Sequence, residues 1–384
     1  MDNYIKIHFL KGAKMNINFL TGSLAYREHK TGVHFFHDML IRKTIEHKKY
    51  NVNISFYNKE EEVRQYLPDY VCEESNQHFS NKFTRIFAYI FPIELIFGKS
   101  DIYICDGLIP IINKSKKRVA IVFDLMVKKF PNYYKPVMRA YMNFYFMRCR
   151  KADLILTISH TTKRDIVHYL KIPEDRIVVV PCGYVGTSNN GELTVEFAEK
   201  IKEKYIFYVG DMRKNKNLLN AIKGFEKAYR ENSDIKFYIA GKKSGEYEDL
   251  NKYVIEHNLQ NAVNFLGYIS ESEKIALYKN SLGLLFVSKY EGFGIPILEA
   301  AYYETPVITS NCSSMKEIAE ECSILVDPNK PNEIKDAIKS LYNCDIRSDI
   351  IKKQKRLLDT YSWENMYSKF EKAIDSLYFY DGCV

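Results

Sequence analysis

The chain has 384 residues, enough for two domains at roughly 100–200 residues each. Hydrophobic residues make up 46% and charged residues 27%, which excludes a mainly disordered, collagenous or coiled-coil chain. With 56 Lys and Arg against 48 Asp and Glu, the formal net charge is +8. The 8 cysteines form no Cys-x-x-Cys pair, so neither a disulfide scaffold nor a structural zinc site is indicated. They fit a reducing, cytoplasmic compartment, where buried Cys acts as a small hydrophobe.

The first 14 residues read as a poorly constrained tail without the long apolar core of a secretory signal, and Met15 is a plausible alternative start. The first apolar run, 17–20, ends in Thr21-Gly22-Ser23, with Thr31-Gly32-Val33 close behind. Further short runs rich in Val, Ile, Phe and Tyr follow at 52–57, 101–105, 118–123, 154–158 and 177–180. The most apolar window, 87–97, is far short of the roughly 20 residues of a membrane span, and Pro92 and Glu94 interrupt it. Gly98-Lys99-Ser100 has the ending of a phosphate-binding P-loop, but Ile93 stands where its first glycine belongs.

The positive charge is concentrated. Residues 101–151 hold eleven Lys or Arg against three Asp, a net of +8, so the rest of the chain balances to zero. Inside this region the aromatic and aliphatic stretch 137–147 is flanked by Lys128, Lys129 and Lys135 on one side and by Arg148, Arg150 and Lys151 on the other. Segment 128–151 therefore has two readings: a peripheral contact with anionic lipid headgroups, or a buried helix with solvated charged ends. No nucleic-acid-binding motif accompanies the charge, so nucleic acid is not expected as a partner.

At 183–191 the pattern pauses in GYVGTSNNG, a Gly, Ser and Asn-rich linker. A second series of apolar runs then follows at 206–209, 236–240, 263–266, 282–287, 306–309 and 324–326. Runs apolar on both faces, alternating with stretches able to form helices, predict covered parallel sheets built of right-handed βαβ units. The expected class is α/β, with a domain at 1–190, a second at 191–360 and terminal helices at 361–384. Ligands of such sheets bind beyond the carboxyl ends of the strands. No G-x-G-x-x-G follows either first strand and no His-Glu-x-x-His occurs among the 9 histidines, so neither a dinucleotide cofactor nor a catalytic zinc is expected.

The segment richest in chemistry is 290–301, YEGFGIPILEAA, directly after run 282–287. Pro296 suits the start of a helix. Gly292 and Gly294 allow a sharp turn and a close approach of backbone to a ligand. The free amides at the helix start form an anion site. Glu291 on the loop and Glu299 in the first helical turn bracket that site, so both can face one ligand. The simpler alternative is a solvated loop acid and a carboxylate complementing the helix dipole.

These segments resemble glycosyltransferase family 4, whose members are retaining sugar transferases of the GT-B fold. Glu291 and Glu299 match the family's Glu–seven residues–Glu motif. YVGDMRKNKNL (208–218) is similar to the strand and loop that supply basic groups to the donor diphosphate, and 306–327 and 153–180 match further family segments. The resemblance covers nearly the whole chain and is strongest over 206–327. It implies two doubly wound Rossmann-like domains facing a central cleft: an acceptor-binding one first, a nucleotide-sugar-binding one second. Trp363 and the segment after it resemble the last helices, which return to the first domain.

By the family's pattern Glu299 would bind the donor ribose and Glu291 would lie beside the transferred sugar. Lys216 would bind the diphosphate, together with amides around Gly210 and Gly292, Phe293, Gly294 and Ile295. Asn215 stands where many members carry Arg, which leaves Arg213 as the candidate substitute. Asp124 falls at the family's His-Asp pair, with Phe123 in place of the histidine, and is a candidate acceptor contact. The loop of Gly22, Ser23 and Gly32 would lie near the diphosphate or the acceptor, or it holds turn glycines alone. Cys182-Gly183 replaces an Asn-Gly often found there.

The implied activity moves a hexosyl group from a GDP-, UDP- or dTDP-linked sugar to a glycan or lipid-linked acceptor in surface polysaccharide synthesis. It would proceed with retention, by front-face displacement, without a metal or cofactor. The competing readings are a non-catalytic glycan-binding or activating subunit, a sugar-nucleotide epimerase and a phosphorylase.

Overall fold

The computed structural model describes residues 14–21, 32–56, 59–64, 67–79, 94–107, 109, 116–186 and 193–379. The tail to residue 13, Gly22, Ser23, most of window 87–97 and the linker from 187 onward lie outside them.

Two parallel sheets organise the chain. The seven-stranded sheet runs β3-β2-β1-β4-β5-β6-β7. Its strands are β1 (Asn16–Leu20), β2 (Asn51–Phe56), β3 (Asn76–Phe79), β4 (Ile102–Cys105), β5 (Lys117–Val122), β6 (Leu154–Thr157) and β7 (Ile177–Val179). The six-stranded sheet runs β10-β9-β8-β11-β12-β13. It is built from β8 (Tyr205–Val209), β9 (Lys236–Ala240), β10 (Val263–Gly267), β11 (Gly283–Phe286), β12 (Val307–Ser310) and β13 (Ile324–Val326). In both sheets the strand order reverses direction beside the first strand, as in doubly wound folds.

The expected apolar runs all become strands, with ends shifted by a residue or two. Only β3, NQHF, has no such run behind it. It is an edge strand, paired with β2 from Asn53↔Asn76 to Phe56↔Phe79, and its residues are exposed or half-exposed. A strand with one neighbour and little burial is ordered mainly by backbone hydrogen bonds, so it needs no apolar pattern.

By contacts the chain divides into two compact units. One holds the chain up to Ile121, Asn143–Leu156 and the residues from Ile374; the other holds Val122–Met142 and Thr157–Ala373. In the first unit Ile17, Phe19, Ile54 and Ile104 of neighbouring strands are buried. In the second the core forms around β8, whose Tyr205, Ile206, Phe207 and Tyr208 are buried. Trp363, Met366, Tyr367 and Phe370 of helix Trp363–Phe379 are buried as well. Gly183 is dictated by this packing, since a Cβ there would lie 2.5 Å from the Trp363 amide nitrogen.

One pairing positions the site. β11 pairs with β8 through Gly283↔Ile206 and Leu284↔Phe207. Because the strands are parallel, the loops leaving their carboxyl ends, 210–217 and 287–294, emerge side by side. Cys105, Cys149 and Cys182 are buried free thiols. Among the described residues no helix is long and apolar enough to cross a membrane.

Candidate active site

The loop after β11 is held from three directions. Tyr290 is fully buried; its hydroxyl donates to Asp165 Oδ2 at 2.7 Å and accepts from the Leu125 amide at 3.3 Å. Lys129 Nζ lies 4.9 Å from the centre of the same ring. From the neighbouring loop, Asn215 Nδ2 donates to the Tyr290 carbonyl at 3.2 Å, and the Lys289 amide donates to the Asn215 carbonyl at 2.7 Å. From the start of helix Ser313–Ala319, the Ser313 hydroxyl accepts from the Glu291 amide at 3.2 Å and donates to the Glu291 carbonyl at 2.9 Å. The Ser314 hydroxyl donates to the Phe293 carbonyl at 2.5 Å. Glu291 is thus presented on a rigid backbone.

The glycines of this loop have separate reasons. A Cβ on Gly292 would stand 2.3 Å from the Phe123 carbonyl oxygen and 3.3 Å from Asp124 Cβ. The group Gly292 makes room for is therefore the protein's own backbone, where the sequence suggests a ligand. Gly294, with φ of +122°, takes a conformation that L side chains rarely adopt, and helix Ile295–Tyr302 starts from it. Phe293 turns inward: it is buried, with its ring edge-on to Tyr361 at 5.4 Å. Ile295 is half-buried at the first helical position.

Beside this loop, the turn Lys214–Lys216 brings Lys216 Nζ to 2.8 Å from Glu291 Oε1, with both side chains largely buried. The same ammonium sits 5.3 Å from the centre of the Phe286 ring. Asp124 accepts a hydrogen bond from the Met126 amide at 2.9 Å. Burial, together with the negative charge of Glu291, pushes its carboxyl above the usual range, while Arg213 and Lys216 pull the other way. Asp124, Glu291, Lys216 and Arg213 thus form one electrostatic set of two carboxylates and two cations. Arg213 pairs with Asp211, which keeps its guanidinium charged despite partial burial. Asn215, in the place of the family's Arg, is buried and serves the loop backbone.

Glu299 belongs to a different set. Its Oε1 accepts from Lys274 Nζ at 2.9 Å and its Oε2 from the Tyr278 hydroxyl at 2.8 Å, both from helix Glu271–Asn280. Lys274 also pairs with Glu271 at 3.1 Å; the two carboxylates keep it charged against the burial that opposes this. Burial and Glu299 push the Tyr278 phenol well above its ordinary value. Each acid of the Glu–seven–Glu spacing therefore has its own cation. Lys274 and Tyr278 are four apart and share a helix face, but nothing in their own segment says that Glu299 faces them.

Gly210 and Gly241 end β8 and β9 with φ of +146° and +131°, and a Cβ on Gly241 would lie 1.9 Å from the Gly210 carbonyl oxygen. The sequence marks Gly241 only as a glycine closing an apolar run; this close approach to Gly210 is what requires a glycine there. In the first unit Gly32 opens helix Gly32–Glu46. At the carboxyl ends of β1 and β4 there, Thr21 Oγ1 donates to Asp106 Oδ2 at 2.6 Å, with His37 Nε2 3.5 Å from the same oxygen. Among the described residues no group of three His, Cys, Asp or Glu could hold a metal ion.

Two doubly wound parallel sheets in one chain, of seven and six strands, are the architecture of the GT-B fold. Comparison with known proteins agrees in both halves of the chain. The model of the glycosyl transferases group 1 matches residues 191–358, and that of Glycosyltransferase Family 4 matches residues 75–185. The chain belongs to glycosyltransferase family 4. It is 28% identical over 221 residues to the O-antigen chain mannosyltransferase B of Escherichia coli, covering 56% of this chain and 58% of that one. It is 26% identical over 252 residues to the O-antigen chain mannosyltransferase RfbU of Salmonella typhimurium, covering 65% of this chain and 67% of that one. The matches thus span about three fifths to two thirds of those relatives' own lengths. Among solved structures it is similar to Anabaena HepE in complex with UDP and glucose, with a TM-score of 0.68 and 12% identity over 94% of this chain and 100% of that one.

Proposed function

We propose that this chain transfers a mannosyl or related hexosyl group from a nucleotide-diphosphate sugar to a glycan or lipid-linked acceptor, in the assembly of an O-antigen-type polysaccharide. The observation that carries this reading is the largely buried Lys216–Glu291 pair, set at the carboxyl edge of the six-stranded sheet with Asp124 beside it. The family membership and the names of the mannosyltransferase relatives support the substrate class.

The chemistry follows from those charges. Cleaving the sugar–phosphate bond builds negative charge on the leaving diphosphate and positive charge at the anomeric carbon. Lys216, with Arg213 close by, supplies cations where the diphosphate charge grows, so the donor needs no divalent metal there. When the diphosphate engages Lys216, the Glu291 carboxylate is left to face the sugar and to offset positive charge at the anomeric carbon. Glu299, its carboxylate oriented by Lys274 and Tyr278, retains acceptor lone pairs for the donor's ribose hydroxyls. The acceptor hydroxyl attacks from the face the diphosphate leaves, its proton passes to the departing phosphate oxygen, and configuration is retained.

The test is a thermal-shift panel of GDP, UDP and dTDP and of their sugars, with GDP-mannose first, with and without Mg²⁺. A ligand at 100 times its dissociation constant adds about 2.7 kcal/mol. The expected result is stabilisation by one base without metal, followed by turnover of its sugar to a product that keeps the donor's anomeric configuration. No stabilisation by any of them overturns the reading.

A further inference from the structure

The loop that carries Glu291 and the segment that carries Asp124 meet backbone to backbone at Gly292 and Phe123. Both of those residues direct a carbonyl oxygen at one hydroxyl. Thr162 Oγ1 lies 3.3 Å from the Phe123 oxygen and 3.4 Å from the Gly292 oxygen. Carbonyl oxygens that converge in a buried place repel each other, and a single hydroxyl proton between them offsets that repulsion. Ser159 directs the proton there. Its hydroxyl accepts from the Thr162 amide at 3.0 Å and donates to Thr162 Oγ1 at 3.0 Å, which leaves the threonine's own proton for the carbonyls. Thr162 and Ser159 are both buried.

Helix His160–Asp165, which carries Thr162, is tied to the site at both ends. At its last residue Asp165 accepts from the Tyr290 hydroxyl, which accepts from the Leu125 amide. At its first residues Glu317 takes the free amides. Its Oε1 accepts from the His160 amide at 2.7 Å, and its Oε2 from the Thr161 amide at 2.8 Å and from Thr161 Oγ1 at 2.9 Å. Glu317 lies in helix Ser313–Ala319, whose first two serines hold the Glu291 and Phe293 carbonyls. The contacts close a circuit from the Glu291 loop through the two helices and back to Phe123 and Gly292. Every residue of this circuit belongs to the second contact unit.

We propose that Thr162, anchored by Glu317, is a positioning residue that fixes Asp124 against Glu291 for sugar transfer. The inference rests on the transferase reading given above. Thr162 bonds the residue before one acid and the residue after the other, so its proton sets their separation. A shift of about 1 Å at reacting groups costs up to about 100-fold in rate. The loss belongs in turnover rather than in nucleotide binding, because Glu299 is held by Lys274 and Tyr278, outside this circuit.

Two substitutions separate the proton from the shape of the side chain. Thr162→Val keeps the shape and removes the proton, and Thr162→Ser keeps the proton. Amide hydrogen exchange on the unliganded full chain reads the circuit without any substrate. The valine variant is expected to exchange faster over 123–126 and 290–294, and the serine variant to match the parent. With GDP-mannose, or whichever sugar of the GDP, UDP and dTDP panel stabilises the parent, Thr162→Val is expected to lower kcat about 10–100-fold. Affinity for the nucleoside diphosphate should stay at the parent's value, and Thr162→Ser should restore kcat. If the valine variant melts low, Glu317→Gln decides: an NH₂ group then replaces one accepting oxygen, and kcat should fall about tenfold with the same faster exchange. Unchanged exchange, faster exchange with unchanged kcat, an equal loss in the serine variant or a matching loss of nucleotide affinity overturns the proposal. A parent that no nucleotide stabilises overturns the transferase reading itself, and that failure is distinct because it appears before any substitution is made.

Discussion

Lys216 and Glu291 hold each other at 2.8 Å with little solvent around them, so each is the other's main compensation for burial. Lys216→Ala removes the cation assigned to the leaving diphosphate and should lower turnover of the nucleotide sugar by about 10²–10³-fold. Steady-state kinetics with the donor identified by thermal shift checks this; unchanged turnover would remove Lys216 from the mechanism. Asp124 gives a prediction of opposite sign for stability. Its carboxyl is raised by burial and by Glu291, so ionisation costs the folded state more than the unfolded one. That cost is present at neutral pH and vanishes as pH falls through the folded value and then the unfolded one. Asp124→Asn should therefore raise the melting temperature at neutral pH, with the gain shrinking in acid. Gly292→Ala should lower it at every pH, because its methyl group would meet the Phe123 carbonyl at 2.3 Å.

Elements are joined by their polar contacts as well as their cores. Helix Leu218–Glu231 is tied to helix Tyr247–Glu256 and the residue after it through one carboxylate. Glu226 accepts from the Tyr253 hydroxyl at 2.6 Å, from Arg230 at 2.6 Å and lies 2.9 Å from His257 Nδ1. Burial alone would raise its carboxyl, but these hydrogen bonds outweigh that and hold it at about 2, against an ordinary 4.5. A depressed acid contributes stability that is complete above its unfolded value and is lost as pH falls toward the folded one. The chain should therefore lose this contribution between about pH 4.5 and pH 2. Glu226→Gln should melt earlier at neutral pH and converge on the parent near pH 2 in acid titrations followed by circular dichroism. At helix Glu271–Asn280 the capping box of Ser270 and Glu273 fixes the end from which Lys274 and Tyr278 reach Glu299. Ser270→Ala should cost about 1 kcal/mol in denaturant unfolding.

Across the whole molecule the last helix connects distant parts of the chain. Helix Trp363–Phe379 begins in the second contact unit and continues into the first at Ile374. In the second unit Trp363 packs on the turn at Gly183, and in the first Asp375 accepts from Lys49 Nζ at 2.7 Å and the Tyr50 hydroxyl at 3.0 Å. Trp363→Ala empties a large buried volume and should cost about 3–5 kcal/mol. Urea unfolding followed by circular dichroism measures this; a loss under 1 kcal/mol would place the indole outside the core.

Sequence and tertiary structure determined different things. Period and apolarity make strands, so the apolar runs, their parallel pairing class and the spacing of Glu291 and Glu299 were legible from residues alone. The polar edge strand Asn76–Phe79 was not, because its order comes from β2. Nor could spacing along the chain show that Lys216 meets Glu291, that Lys274 and Tyr278 meet Glu299, or that Gly292 yields space to Phe123. Those neighbours are 75, 25, 21 and 169 residues apart; the pairing of β8 with β11 brings the first pair together, and long-range packing brings the others. The same holds for segment 128–151. Its charge and aromatics could be read, but burial of Tyr145, Phe146 and Cys149 decided which side of the helix faces outward. Local patterns specify elements because their hydrogen bonds and periodicity are local; a site's charges are paired by long-range packing.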